Sequence, residues 1–389
     1  MLAYLSMMAP RLIELQRVLR DTGSLYLHCD PTASHYLKLL LDAVFGPQNF
    51  QNEIIWCYEI GGRTKKRWAR KHDTILFYSK TDKFFFDWSA VAEPRKPGTH
   101  MKAKLDDDGR EYQEKKDAKS GKVYRYYIDE GTIRPDWWVG PQQINREAAE
   151  RLGYPTQKPV ELLERIVAAS SKPGDVILDP FCGCGTTIAA AEKLERSWVG
   201  IDLTYLAISL IKSRLADMGA SDYTVLGEPT TADDAAQLAA DDPYQFQWWA
   251  LGQIPGLRPA QGKKGADHGI DGRLYFFEPG SGKPKQLIAS VKAGGVQVGH
   301  VRDLIGVLQR EQAQLGVLIS MNEPTGPMRA EAASAGFYTS PWGTHPKVQL
   351  VTVAELLAGR KLDMPGGVAP TEAAMPEMPA VHPDQLSLG

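Results

Sequence analysis

Apolar positions along this chain switch between a helical and a strand-like period, and the switches mark out its elements. Leu5, Met8, Leu12, Leu15 and Leu19 recur at helical spacing, with Gly23 as a stop signal. Ser24 to Cys29 (SLYLHC) reads as a strand ending at Asp30, and Tyr36 to Val44 as an apolar-faced helix. Ile54 to Tyr58 and Thr74 to Tyr78 predict further strands. A short apolar run, Val176-Ile177-Leu178, ends at Asp179 and predicts a buried parallel strand. Thr186 to Leu194 is alanine-rich and helix-forming. A second strand, Trp198 to Ile201, ends at Asp202, and Thr204 to Met218 is the next helix. This is a βαβ unit, with a ligand crevice at the carboxyl ends of its strands.

After residue 240 the pattern changes. Pro243 to Ile254 predicts a helix, and Ile270 to Phe277 and Gln286 to Lys292 predict two strands around the turn Glu278-Pro279-Gly280-Ser281-Gly282. A helix (Val301 to Gln312), a buried strand (Leu315 to Ser320), a helix (Met328 to Ala335), a strand (Val348 to Val353) and a short helix (Ala354 to Leu357) complete it. Both halves are therefore α/β. The expected organisation is a Rossmann-like sheet over 1–220, a linker over 221–240 and a small α/β domain over 241–362. Residues 89–150, with mixed charge and few aliphatics, read as an insert, and 363–389 as a disordered tail.

The formal net charge over 389 residues is −2, so any nucleic-acid contact must come from local patches. One such patch is Gly61 to Lys71, GGRTKKRWARK, where six cations could meet phosphates and Trp68 could stack on a base. No apolar run reaches membrane-spanning length, and Met1 to Leu19 is broken by Pro10, Arg11, Glu14 and Arg17, unlike a secretory signal. Four cysteines without CxxC spacing fit a reduced, cytoplasmic setting.

The chemistry concentrates in DVILDPFCGCGTTIAAAEKLERSWVGID, Asp175 to Asp202. Gly183 and Gly185 let the backbone turn tightly and approach a ligand with no Cβ in the way. A dinucleotide fingerprint needs a third glycine where Ile188 stands. An acid opening the loop, Asp179, repels phosphate but suits a cationic ligand. Asp202, closing the second strand, is placed to accept hydrogen bonds from ribose hydroxyls. DPFCGCGTT resembles the S-adenosylmethionine loop of DNA amino-methyltransferases, which methylate adenine N6 or cytosine N4. The resemblance implies a permuted, partial methyltransferase sheet that uses S-adenosylmethionine and acts on double-stranded DNA. Asp179, Phe181, Gly183, Gly185, Thr186 and Asp202 would hold the cofactor. YPTQKP (154–159) resembles the segment that closes over it, which adds Thr156 and Lys158 as contacts to the methionine carboxylate.

MLAYLSMMAPRLIELQRVLRDTGSLYLHCDP, with FGPQNFQNEIIW, resembles the part of the β-class enzymes that follows their catalytic motif, and 89–150 lies where that class commonly carries target recognition. That motif, an acid or Asn followed by Pro-Pro and an aromatic, is absent, and the chain holds no Pro-Pro pair. Its work is to hold the amine of a flipped base and stack on it. The expectation is a chain truncated at its N-terminus, with a second chain that supplies the motif, or a homodimer, as its protein partner. Asp241-Asp242-Pro243-Tyr244 differs from the motif by one residue, but it reads as a helix start with Asp at the N-cap and Pro at N1.

A second constellation follows. Gly265-Ala266-Asp267-His268-Gly269-Ile270-Asp271-Gly272 opens one hairpin strand, and Ser290-Val291-Lys292 lies on its partner. A carboxylate opposite a lysine suits metal-assisted phosphodiester hydrolysis, with Asp271 (and Asp267) holding Mg²⁺ and Lys292 orienting the attacking water. KKGADHGIDG with IASVKAGG resembles the Mrr-like branch of the PD-(D/E)xK restriction endonucleases. That resemblance departs at Ser290, where the family usually has Glu or Gln. Two readings follow: a DNA methyltransferase with a fused Mg²⁺-dependent endonuclease, or a catalytically inactive, DNA-binding remnant of one.

Overall fold

The computed structural model describes residues 1–59, 64–95, 103–144, 150–152, 154, 156–260, 269–279 and 284–366. The chain divides into two compact units: Met1–Gln143 with Lys158–Ile177 and Ala190–Ser197, and Ile144–Gln157 with Leu178–Ala189 and Trp198–Gly389.

The first unit opens with α1 (Leu2–Val18), β1 (Ser24–Cys29), α2 (Ser34–Phe45), β2 (Phe50–Cys57) and β3 (His72–Ser79). After these come β4 (Lys104–Leu105), β5 (Glu111–Lys116), β6 (Val123–Tyr127), β7 (Trp137–Val139) and α3 (Val160–Ser170). The main sheet has the order β1-β3-β2-β7, with β3 antiparallel to β1 and β2 and β7 parallel to β2. β3 is buried on both faces, and its alternation decides which side each residue serves. Leu76 and Tyr78 join Met8, Leu12, Leu37 and Leu41 beneath α1 and α2, while Ile75 and Phe77 join Ile54, Trp56 and Leu162 of α3. The buried Tyr78 hydroxyl donates to Asp42 at 2.6 Å, so the core keeps no orphan polar group there.

Residues 89–150 contain the antiparallel sheet β4-β5-β6, but their end is not peripheral. Trp137–Val139 pairs with Ile55 to Cys57, and Trp138 packs against the Ile54–Trp56 cluster with Arg165 over its ring. The sequence missed this because a three-residue strand carries no period of its own. Burial of one Trp recruits it to the sheet edge.

Next come β8 (Val176–Asp179), α4 (Thr186–Lys193), β9 (Ser197–Gly200) and α5 (Tyr205–Asp217). β8 and β9 form a two-stranded sheet. Contrary to the buried strand expected, Val176 is 58% and Leu178 38% exposed, because a pair of strands covers one face only.

Two helices, α6 (Ala232–Asp241) and α7 (Pro243–Gly252), then precede β10 (Arg258–Pro259), β11 (Gly272–Phe276), β12 (Lys285–Lys292), α8 (Val298–Arg310), β13 (Leu315–Ser320), α9 (Gly326–Ser334), the hairpin β14 (Phe337–Ser340) and β15 (Gly343–Pro346), β16 (Val348–Thr352) and α10 (Val353–Leu357). The five-stranded sheet runs β10-β11-β12-β13-β16, antiparallel up to β12 and parallel thereafter. Its faces carry separate cores, one around Phe246, Trp249, Leu287 and Val317, the other around Ile288, Val301, Leu304 and Leu318. The stretch 221–240 is not merely a linker. A capping box between Thr231 and Asp234 starts α6, and Ala235 is buried in the first of those cores. Residues 367–389, expected as a tail, lie outside the described residues.

Asp242 caps α7, accepting from Tyr244 N and Gln245 N at 3.0 Å each, with Pro243 at the first helical position. The near-match to the catalytic tetrapeptide is therefore a helix start. Asp242→Ala should lower stability by about 1 kcal/mol through the lost cap, measured as a shifted urea midpoint at unchanged slope. No loss would mean that the cap is not what the aspartate is for.

Candidate functional site

The glycine loop after β8 is closed by side chains on both sides. Asp179 accepts from Thr187 Oγ1 at 2.6 Å and from Phe181 N at 3.1 Å, so it ties the loop's start to the first turn of α4. Gly183 (φ +50°) donates its N–H to Asp202 Oδ2 at 2.9 Å. Asp202 Oδ1 takes Thr204 N and Oγ1 at 2.9 and 3.0 Å, and Thr204 in turn caps α5. A carboxylate offers about four acceptor positions. Three are used, which leaves one on Oδ2.

Packing fixes the same loop from below. Gly185 has φ +75°, and a Cβ there would come within 2.7 Å of Ile211 Cγ1, so neither conformation nor space admits a side chain. A Cβ on Gly183 would meet the Tyr154 ring at 3.0 Å. That ring packs with Leu152, Cys184, Leu206 and Leu210. Burial, with the charge of Asp202, pushes the Tyr154 hydroxyl well above its ordinary pKa, so it stays protonated. Burial likewise pushes the Cys182 thiol up to about 12, which makes it a filler rather than a nucleophile.

Sequence reasoning missed Arg214. It is buried in α5, and its Nη1 lies 3.2 Å from the Cys184 carbonyl and 3.4 Å from Thr186 Oγ1. A helix residue twenty-eight or thirty positions away leaves no local signal.

Of the residues expected at this site, the fold gathers Asp179, Gly183, Gly185, Thr186 and Asp202 around one loop, with Phe181 exposed on it. Thr156 falls in the second unit and Lys158 in the first. Two carboxylates beside a glycine turn disfavour phosphate and favour a ligand with positive charge and hydroxyls.

A family model for DNA methylases of the N6/N4 type matches residues 1–213. The chain belongs to this DNA methylase family. Its curated relatives include the type II methyltransferase M.EcaI of Enterobacter cloacae, 32% identical over 261 residues. Another is M.BglII of Bacillus subtilis, 27% identical over 208 residues. The matches cover 55% and 51% of this chain but 58% and 53% of the relatives, so the chain spans little more than half their length. Among solved structures, the M1.HpyAVI–SAM complex matches 53% of the chain and 82% of its own, at 19% identity and a TM-score of 0.36. A second family model, NACHT-associated inactive Restriction Endonuclease 1, matches residues 254–358.

In the C-terminal region, Asp271, just before β11, meets Ser290 of β12, and Lys292 ends that strand; the surroundings of Asp271 differ from those expected. Asp271 is 5% exposed. Its Oδ1 accepts from Gln247 of α7 at 2.9 Å, and its Oδ2 from Val291 N at 2.7 Å and Ser290 Oγ at 3.2 Å. Asp267 lies outside the described residues. Among the described residues no group of three His, Cys, Asp or Glu could hold a metal ion. Among the described residues Asp271 is the carboxylate at this point, and its engagement by internal donors does not suit Mg²⁺, which keeps several waters beside its carboxylate ligands.

Asp271→Ala should therefore destabilise the domain by about 2–3 kcal/mol, because buried donors are left without their acceptor. Millimolar MgCl₂ should leave the wild-type melting temperature unchanged. A cation-dependent rise in melting temperature, lost in Asp271→Ala, would restore the metal site.

Proposed function

We infer that residues 1–220 form the cofactor-holding portion of an S-adenosylmethionine-dependent DNA methyltransferase acting on an exocyclic amine, adenine N6 or cytosine N4. The observation that carries this reading is the glycine loop flanked by Asp179 and Asp202, with one Asp202 acceptor still open to a ligand hydroxyl. Bound there, S-adenosylmethionine supplies an activated methyl group. Asp179, Phe181, Gly183, Gly185 and Thr186 shape the seat, and Asp202 accepts a ribose hydroxyl. Thr156 is assigned to the methionine carboxylate. The DNA partner meets the basic loop through Thr64 to Lys71.

The base-holding tetrapeptide is absent from these 389 residues. In this reading a segment outside these residues supplies it. The C-terminal domain is read as an Mrr-like derivative of the restriction-endonuclease fold that binds DNA without cutting it. The hydrogen bonds that occupy Asp271 support this, as does the inactive family it resembles.

Titration calorimetry tests the cofactor assignment. The chain should bind S-adenosylmethionine, and Asp202→Ala should weaken binding by roughly ten- to a hundredfold, the worth of about 1.5–3 kcal/mol of charged hydrogen bonding. Wild-type affinity in that variant would remove Asp202 from the site. Methyl incorporation into DNA by the purified chain alone would overturn the need for a supplied tetrapeptide. Mg²⁺-dependent plasmid nicking, expected to be absent, would return the nuclease reading.

A further inference from the structure

One polar cluster lies apart from both sites. β1 and β2 end, and β3 begins, at the same edge of the first unit's sheet: Cys29 pairs with Thr74, Trp56 with Asp73 and Cys57 with His72. There Asp73 Oδ2 lies 3.0 Å from His28 Nε2, and Tyr58 Oη donates to Asp73 Oδ1 at 3.2 Å. The chain between β2 and β3 returns at this edge through Thr64 to Lys71, with Lys65, Lys66, Arg67 and Arg70 and with Trp68 95% exposed.

The hydrogen bonds settle which proton His28 carries. Burial pushes the Asp73 carboxyl up, but its bonds to His28 and Tyr58 outweigh that and hold it below its ordinary pKa. Asp73 is thus an acceptor at neutral pH, and His28 Nε2 must be the donor to it. Burial, only partly opposed by Asp73, holds His28 below its ordinary pKa, so the ring is neutral and Nδ1 keeps its lone pair. Nδ1 makes no hydrogen bond among the described residues, and the side chain keeps 23% exposure. Its orientation is fixed. The ring meets Trp56 edge-on at 5.6 Å, and Trp56 is itself anchored by Nε1 donating to the Pro141 carbonyl at 2.7 Å. Lys158 lies close enough for its charge to bear on both His28 and Asp73.

A rigid acceptor beside a cationic, aromatic-bearing loop calls for a ligand that carries N–H donors on one part and negative charge on another. A phosphate alone has no donor to offer. An amine-bearing nucleotide has both. We propose that His28, held by Asp73 and Tyr58, is a positioning residue that accepts a hydrogen bond from the exocyclic amine of the target adenine or cytosine. The proposal rests on the DNA amino-methyltransferase reading above and adds the residue that orients the amine from this half of the chain. In that role Nδ1 takes one amine hydrogen and directs the nitrogen lone pair away from the sheet edge. The neighbouring cations hold the phosphates.

The test uses the full chain and short fluorescein-labelled single strands of oligo(dA), oligo(dI), oligo(dC) and oligo(dU), read by fluorescence anisotropy. Hypoxanthine and uracil replace the amine with a carbonyl and leave the phosphates alone. Wild type should prefer dA over dI and dC over dU. His28→Gln keeps an N–H donor for Asp73, while its one acceptor, Oε1, is displaced from the place of Nδ1. It should lose most of that preference, with dA and dC binding roughly five- to tenfold weaker and dI and dU nearly unchanged. A purely structural His28 would shift all four strands together or none of them. If His28→Gln does not fold, ¹⁵N NMR of the wild-type ring decides instead. A protonated Nε2 and an unprotonated Nδ1 that shifts on adding oligo(dA) but not oligo(dI) are expected, and a proton on Nδ1, or equal shifts with both, would overturn the proposal. Equal affinity of wild type for all four strands removes His28 and leaves the DNA reading standing. No binding to any strand removes both.

Discussion

Much of the second unit depends on how α5 is packed. One part of it closes the glycine loop from below: Ile211 fills the space that a side chain on Gly185 would need, and Arg214 holds the Cys184 carbonyl. Another part meets α7. Tyr205 N donates to Gln245, Ser209 Oγ to the Trp248 carbonyl, and Leu206 and Leu210 pack against Trp248. Gly252 is required at that contact, since a Cβ would fall 2.2 Å from Ser209 Oγ. The two chemistries read from the sequence therefore share a helix rather than a flexible tether. α7 also sends Gln247 to Asp271, so a shift of α7 would be felt at both sites.

What the sequence made legible was local. The turn of the glycine loop and the Asp242 cap are set by residues within a few positions of one another, although Asp202 reaches the loop across 19 positions. The strands of the first sheet were legible because alternating apolar runs have no other way to bury both faces. What stayed hidden was long-range. β7 is too short to show a period, and α6 is too alanine-rich to separate from a linker unless its Thr231–Asp234 box is noticed. The β14–β15 hairpin has a Gly at only one corner, and its strands carry little aliphatic burial. The contacts that decide chemistry were the most hidden: Gln247 to Asp271 spans 24 positions, and His28 to Asp73 spans 45. No window along the chain sees them.

Three aspartates of this chain end in three states, and their donors and burial together separate them. Asp271 takes at least three and is buried, so it behaves as a strut. Asp202 also takes three but stays half-buried with an acceptor position open, so it can serve the loop and a ligand together. Asp73 takes two, and through them fixes the tautomer of His28 rather than meeting a ligand itself. Residue type alone marks all three as candidate acids. Their surroundings divide the work.

The second site shows why Ser290 matters more than a missing ligand would suggest. Two carboxylates at Asp271 and position 290 would repel across the β11–β12 pair, and a bound cation is the natural remedy for that repulsion. A serine removes the repulsion and goes further, because its hydroxyl donates to Asp271. With Val291 N and Gln247 as the other donors, the carboxylate is stabilised without any ion, so an entering metal would have to displace protein hydrogen bonds to reach it. A serine rather than an acid at 290 thus leaves Asp271 stabilised by protein donors instead of repelled by a second carboxylate. The same exchange turns a place for chemistry into a fixed point between α7 and the sheet.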